Sequence, residues 1–123
     1  MKSGNNGFTK NGKIGMRQVA TIQVASREDV ERLIRSHAEK IRSFGIEGIS
    51  LFGSFNRNTE ITNESDVDFL IEFAPGCETY NNFADLNFYL EDLLGRKVDL
   101  LSRSSLRSDA GKQIGKSSAR IHI

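Results

Sequence analysis

The sequence predicts a small α/β (α+β) fold in which a mixed sheet of about three strands is flanked by helices. Two patterns support this prediction: short apolar runs that end at turn residues, and longer stretches with apolar residues at helical spacing. The chain has 123 residues, 37% of them hydrophobic and 27% charged, which suits one domain with one packed core. We predict a flexible extension over residues 1–25 and a folded domain over residues 26–123.

Charge and composition exclude several classes of protein. The net charge of +1 gives no general attraction to nucleic acid, and we expect no nucleic-acid partner. Cys77 is the only cysteine, so one chain can build neither a disulfide nor a cysteine-based zinc site. No run approaches the roughly 20 apolar residues of a membrane span, and the first residues lack a secretory pattern. We expect a cytoplasmic protein without a membrane partner.

The first residues, up to about position 18, are rich in Gly, Asn, Lys and Ser and show no periodicity. Such a segment buries too little apolar surface to offset the entropy of ordering it. Met16 is a second candidate start besides Met1, and the sequence leaves that choice open.

A first helix is predicted between Ser26 and Gly45. Ser26 is a good N-cap, Asp29 stands three residues later as in a capping box, and Gly45 supplies the stop. Apolar residues then recur at helical spacing from Val30 to Ile41. His37 lies on the same stripe, and we interpret it as a packing histidine because no partner motif accompanies it.

A short strand should follow, containing Ile49, Leu51 and Phe52 and ending at Gly53-Ser54. Glycine allows a backbone to approach a phosphate closely, and the serine hydroxyl can contact it. After a polar connection, Asp66 and Asp68 open a nearly continuous apolar strand that we expect to return antiparallel. Alternating side chains would place both carboxylates on one face, about 6.5 to 7 Å apart by Cα.

A second helix is predicted to begin at Asn82 and to end at Gly95. It would cross over to a third strand, Lys97 to Leu101, which carries Asp99 on the face opposite Val98 and Leu100. From Ser104 onward, apolar residues suggest another helix that its glycines weaken; these residues are Leu106, Ala110 and Ile114, with Gly111 and Gly115 between them.

Asp66, Asp68 and Asp99 would thus converge, since neighbouring strands lie only about 4.8 Å apart. Three carboxylates that face one another repel, and bound Mg²⁺ would compensate for that repulsion. An Asp-x-Asp pair by itself is common, and the alternative is a solvated start of a strand. The Gly-Ser turn and the third aspartate favour a site for metal and phosphate.

Gly53-Ser54, eleven intervening residues, Asp66-Val67-Asp68 and the later Asp99 resemble the nucleotidyltransferase superfamily typified by polymerase beta. The sequence motif LFGSF…R…SDVDFLIEF resembles that of minimal nucleotidyltransferases (MNT), which are antitoxins that act beside HEPN ribonuclease toxins. This similarity covers about residues 27–105. The resemblance implies a nucleotidyltransferase fold for the folded domain.

The resemblance also implies roles for single residues. Asp66 and Asp68 would bind two Mg²⁺ ions, with Asp99 beside them activating the attacking hydroxyl. Ser54 would contact the β and γ phosphates of ATP, and Gly53 would belong to the same nucleotide-binding turn. Arg57 stands where the family has an arginine and would add positive charge on the triphosphate.

The chain departs from the family beside that arginine, where the usual Ala-Arg-Gly is Asn56-Arg57-Asn58. Asparagine tolerates left-handed backbone angles, so we expect the loop to keep its path.

The function implied by the resemblance is transfer of AMP from ATP to a hydroxyl, with a tyrosine of a HEPN toxin as the acceptor. Two alternatives remain open. The chain could neutralise its toxin by binding alone, or it could modify a small molecule, although enzymes of that kind generally carry a further domain for the acceptor.

Overall fold

The computed structural model describes residues 23–106 and 117–123. Residues 1–22 of the proposed extension therefore lie outside the described residues. Residues 107–116 of the proposed last helix lie outside them as well. The described chain forms the following helices and strands: α1 (Arg27–Ser36), α2 (Ala38–Arg42), β1 (Ile46–Phe52), α3 (Gly53–Arg57), β2 (Val67–Phe73), α4 (Tyr80–Leu94), β3 (Val98–Ser102) and β4 (Ala119–Ile121).

The sheet has the strand order β3-β2-β1-β4. Strand β1 runs antiparallel to both β2 and β4, whereas β2 and β3 are parallel and are joined by the crossover helix α4. The predicted mixed sheet flanked by helices is confirmed, and β4 adds a fourth strand to the three that the sequence indicated. A 3₁₀ turn, Arg103–Ser105, follows β3 where the sequence suggested the start of a helix.

The predicted first helix is broken at His37 into α1 and α2. Its start is confirmed, because the Ser26 hydroxyl accepts a hydrogen bond from the Asp29 amide at 3.1 Å. At the break, side-chain groups of Ser36 and His37 lie on the carbonyl oxygen of Leu33, an arrangement that often bends helices. This oxygen accepts from the His37 amide at 3.1 Å and from the Ser36 hydroxyl at 3.1 Å, and the His37 ring nitrogen lies 3.0 Å away. His37 also packs edge-on against Tyr89, which supports its interpretation as a packing residue.

The N-cap of helix α4 lies three residues before the predicted cap, Asn82. Thr79 is the N-cap, and its hydroxyl accepts a hydrogen bond from the Asn82 amide at 3.1 Å, so Asn82 lies in the first turn. The Asn82 side chain instead donates to the carbonyl of Cys77 at 2.9 Å. The predicted end is confirmed at Gly95, which adopts the left-handed conformation.

The core lies between one face of the sheet and the helices. Alternate residues of β2 (Val67, Phe69 and Ile71) are fully buried against fully buried residues of α4 and α1, namely Leu86, Leu90, Leu94, Val30 and Ile34. Asp68 alternates with these residues and therefore lies on the opposite face. Within the described ranges, no helix is long and apolar enough to cross a membrane.

Candidate active site

The Gly53-Ser54 turn lies directly against Asp68. Gly53 is the first residue of α3 and has a φ of +77°, a backbone angle that residues with a Cβ atom rarely adopt. A Cβ atom at this position would overlap the Asp68 carboxylate and would lie 3.2 Å from its Cγ. Glycine is therefore needed here both for the backbone angle and for the close approach of the turn to the carboxylate.

The register of the strands brings Asp99 beside Asp68. Asp68 pairs with Asp99 across the parallel strands β2 and β3, and with Phe52 at the end of β1 on its other side. Residues that pair directly across two strands project from the same face of the sheet. The predicted approach of Asp99 to the Asp-x-Asp motif is confirmed, and the catalytic role assigned to Asp99 stays a prediction.

The electrostatics of Asp68 link it to the other proposed site residues. The pKa of Asp68 is raised from 3.8 to about 6, mainly by burial and also by the charges of Asp99 and Asp66 and by a hydrogen bond to Asp99. The positive charge of Arg57 opposes this effect and lowers the pKa. All four groups therefore belong to one electrostatic cluster, in which negative charge is in excess.

Ser54 and Arg57 are both presented by the short helix α3. Ser54 is partly buried and directly follows the turn, whereas Arg57 is exposed in the last turn. The structure thus places both proposed phosphate contacts on the element that begins against Asp68. Their roles toward a nucleotide stay predictions.

Asn58 ends α3 in the left-handed conformation, with a φ of +58°. Asn58 thus adopts the left-handed angle that asparagine was expected to tolerate, and the expectation that the loop keeps the family's path stays a prediction. The side chain also does what glycine cannot: its Oδ1 accepts from the Arg27 amide at 3.0 Å, and its Nδ2 donates to the Glu28 carboxylate at 3.2 Å. Arg27 Nη1 adds a bond to the carbonyl of Asn56 at 3.1 Å, so the start of α1 anchors the end of α3.

The donor set fits a divalent cation in its chemistry. Carboxylate oxygens are the ligands that Mg²⁺ prefers, and the charges of Asp99 and Asp66 add to burial in raising the pKa of Asp68. Within residues 23–106 and 117–123, however, no three Asp, Glu, His or Cys side chains are already gathered as a metal-ligand group. The arrangement offers the Asp68 and Asp99 pair, with Asp66 one residue ahead of β2, as groups that a cation could draw together.

Arg96 is a buried residue near the site that the sequence did not reveal. It follows the glycine that ends α4, a position at which an arginine is normally exposed to solvent. In the structure it is only 8% exposed, and its guanidinium group contacts backbone carbonyls and the ring of Phe55. Neither periodicity nor spacing distinguishes such an arginine from a solvated one.

A glycine-serine turn packed on a row of aspartates at adjoining strand ends defines a site of the phosphate-transfer class. The chain belongs to the nucleotidyltransferase domain family, whose model matches residues 34–122. This membership makes the protein a nucleotidyltransferase.

Two similar proteins strengthen this assignment. The chain is 39% identical over 88 residues to the protein adenylyltransferase MntA of Thermococcus cleftensis, a match covering 71% of this chain and 87% of that protein. Its fold is similar to that of a solved minimal nucleotidyltransferase, with a TM-score of 0.59, 27% identity, and coverage of 87% of this chain and 97% of the other. The predicted resemblance to minimal nucleotidyltransferases is confirmed.

A third similar structure is a toxin-antitoxin crystal structure with AMP-PNP. It has a TM-score of 0.56 and 21% identity, and the match covers 77% of this chain and 71% of that chain. At this identity the likeness concerns the fold.

Proposed function

We propose that the protein transfers AMP from ATP to a hydroxyl group of a partner HEPN toxin, with tyrosine as the acceptor, and that it thereby acts as an antitoxin in the cytoplasm. The observation that carries the proposal is the in-register pair Asp68 and Asp99 beside the Gly53 turn. Similarity to a protein adenylyltransferase and to the fold of a toxin-antitoxin complex supports the choice of a protein acceptor.

The reaction can be assigned to the residues of this chain. The backbone at Gly53 and the Ser54 hydroxyl would hold the β and γ phosphates of ATP, and Arg57 would neutralise part of their charge. Asp66, Asp68 and Asp99 would hold two Mg²⁺ ions, which supply charge neutralisation at the reacting phosphate and at the leaving pyrophosphate. Asp99 would accept the proton of the acceptor hydroxyl.

The transfer forms one bond and breaks one. The acceptor oxygen forms a bond to the α phosphorus of ATP, the bond from that phosphorus to the bridging oxygen breaks, and pyrophosphate leaves. Positioning and electrostatic stabilisation supply most of the acceleration in such transfers.

The direct test is to incubate the chain with α-labelled ATP, Mg²⁺ and the purified partner HEPN toxin. We expect label on the toxin, located on a tyrosine by mass spectrometry, and none with Asp68→Asn. Asp85→Asn makes the same chemical change at an exposed position of α4 and should leave the labelling intact. Absence of labelling by the native parent chain would refute the proposal.

A second candidate function is neutralisation of the toxin by binding alone. It is favoured by the finding that, in the described part of the chain, no three side chains are already gathered as metal ligands. The double variant Asp66→Asn/Asp68→Asn separates the two functions in cells that express the toxin. If the double variant protects cells as well as the parent does, the function is binding. If protection is lost while the complex still forms, the function is AMP transfer.

A further inference from the structure

The buried guanidinium group of Arg96 joins segments that are distant in the sequence. Its Nε donates to the carbonyl of Val24 at 2.6 Å, and its Nη1 donates to the carbonyls of Thr62 at 2.7 Å and Ser65 at 2.9 Å. The guanidinium carbon lies 5.0 Å from the centre of the Phe55 ring, within cation-π range. One side chain thus contacts the segment before α1, the helix α3 and the loop before β2.

Within the described residues, these contacts are made to neutral groups. None of the ion pairs in the described residues includes Arg96. Burial of the guanidinium group lowers its pKa, as expected when the charged form loses hydration. Removing a charge from water is costly, and here neutral carbonyls and an aromatic ring offset that cost. An apolar residue in this space would leave three backbone carbonyls without these donors, so the guanidinium group holds together the segments that carry them.

The contacts bracket Asp66 from both sides. The Ser65 carbonyl, immediately before Asp66, accepts from Arg96, and the Val67 amide, immediately after it, donates to the Lys97 carbonyl at 3.0 Å. Asp66 precedes the first residue of β2, so the strand itself does not fix its backbone. Residues 96 and 97 therefore hold the backbone on both sides of this aspartate.

The same guanidinium group also reaches the phosphate side of the site. Phe55 follows Ser54 directly in α3 and is fully buried. The ring of Phe55 and the carbonyl of Ser65 are thus held by one rigid planar group. Lysine would keep the positive charge and lose this geometry. Its ammonium group is not planar, so it cannot stack on the Phe55 ring and also donate to the carbonyls in the plane of that group.

We infer that Arg96 is a positioning residue for nucleotidyl transfer, which sets the Asp66 carboxylate at a fixed distance from the Gly53-Ser54 turn. The residue acts through the backbone and the Phe55 ring and does not touch substrate. Arg57, and not Arg96, is the cation that shifts the pKa of Asp68. The inference rests on the proposed function, because it assigns Asp66 to metal binding.

The test compares the parent with Arg96→Lys and Arg96→Met at 15 °C, with the folded fraction measured by circular dichroism. The first readout is binding of Mn²⁺, used as a probe for Mg²⁺, in the presence of AMP-PNP, followed by the electron paramagnetic resonance of free Mn²⁺. We expect both variants to bind Mn²⁺ about 10-fold to 100-fold more weakly, the range typical of lost outer-shell partners of metal ligands.

The second readout is kinetic. We expect kcat per folded molecule to fall with little change in the KM for ATP, because Arg27 and Asn58 hold α3 independently of Arg96. The matched control is Ile41→Ala, which removes a fully buried side chain in α2, an element that makes none of the Arg96 contacts. It should lower the melting temperature and leave Mn²⁺ binding and kcat per folded molecule unchanged.

Parent-like Mn²⁺ binding by folded Arg96→Lys and Arg96→Met would overturn the inference, as would failure of both variants to fold at 15 °C, since Arg96 would then serve folding. Failure of the proposed function is a distinct result. In that case the parent itself would transfer no AMP, while Mn²⁺ binding would still report on Arg96.

Discussion

Asp68 and Asp99 lie directly opposite each other on the parallel strands β2 and β3, and a hydrogen bond between their side chains helps to raise the pKa of Asp68 to about 6. Without a cation, the folded protein therefore keeps a proton at this site that an unfolded chain would release near pH 3.8. The geometry that suits metal binding is thus a source of instability in the metal-free protein.

This instability should depend on pH. Between about pH 4 and pH 6 the folded state binds more protons at Asp68 than the unfolded state does, so stability falls as pH rises through that window. Thermal unfolding in EDTA should show that Asp68→Asn raises the melting temperature at pH 7 more than at pH 4. The exposed Asp85→Asn should produce no such difference, and an equal effect of Asp68→Asn at both pH values would contradict the prediction.

The close approach of Gly53 to Asp68 gives a second prediction. Gly53→Ala adds a Cβ atom that overlaps the carboxylate, and its φ of +77° costs about 1–2 kcal/mol for a residue with a Cβ. We expect loss of both stability and transferase activity, measured by thermal unfolding and by AMP transfer.

Gly76 provides a matched control for this substitution. Its φ is +80°, yet a Cβ there would meet no atom within 4 Å. Gly76→Ala should therefore carry a similar backbone cost and keep full activity per folded molecule. Equal activity losses in the two variants would show that contact with Asp68 is unimportant.

Much of the site followed from sequence because it depends on short-range rules. Alternation along β2 places Asp68 opposite the core, and the length of α4 predicted a crossover, which in the structure joins the parallel strands β2 and β3. The Gly-Ser turn similarly marks the end of β1. These features depend on residue spacing, which a single sequence displays.

The features that sequence did not show depend on distant contacts. Strand β4 has only three residues, and its pairing with β1 joins parts of the chain about 70 residues apart. Thr79 and Asn82 are both good N-cap residues, and only the contact of Asn82 with Cys77 distinguishes them. Arg96 is buried because carbonyls from separate loops converge on it, which local sequence does not encode.

The next prediction concerns Asn58, whose side chain links α3 to the start of α1. Asn58→Ala loses both hydrogen bonds and leaves a poorly suited residue at a φ of +58°, so we expect a loss of roughly 1–3 kcal/mol. Asn58→Gly relieves the backbone strain and should cost less. Denaturant unfolding of the three proteins measures both effects.

Glu60 offers the comparison for Asn58, since it too has a positive φ, of +59°. Glu60→Gly should stabilise the protein by up to about 1–2 kcal/mol, because glutamate tolerates this backbone angle less well than asparagine does. If Asn58→Gly stabilises the protein by the same amount, the bonds to Arg27 and Glu28 contribute nothing to stability.

The last prediction concerns Arg57, the cation that lowers the pKa of Asp68. Arg57→Gln should raise the pKa of Asp68 further, which ¹³C NMR of the carboxyl carbon in the metal-free protein would detect. It should also raise the KM for ATP, and by a smaller factor at high salt, because ions screen an exposed charge. Arg35→Gln removes an exposed arginine from the last turn of α1 and should change neither quantity. An unchanged KM for ATP in Arg57→Gln at low salt would show that Arg57 does not contact the phosphates. Ser54 and the Gly53 backbone would then be the remaining proposed phosphate contacts.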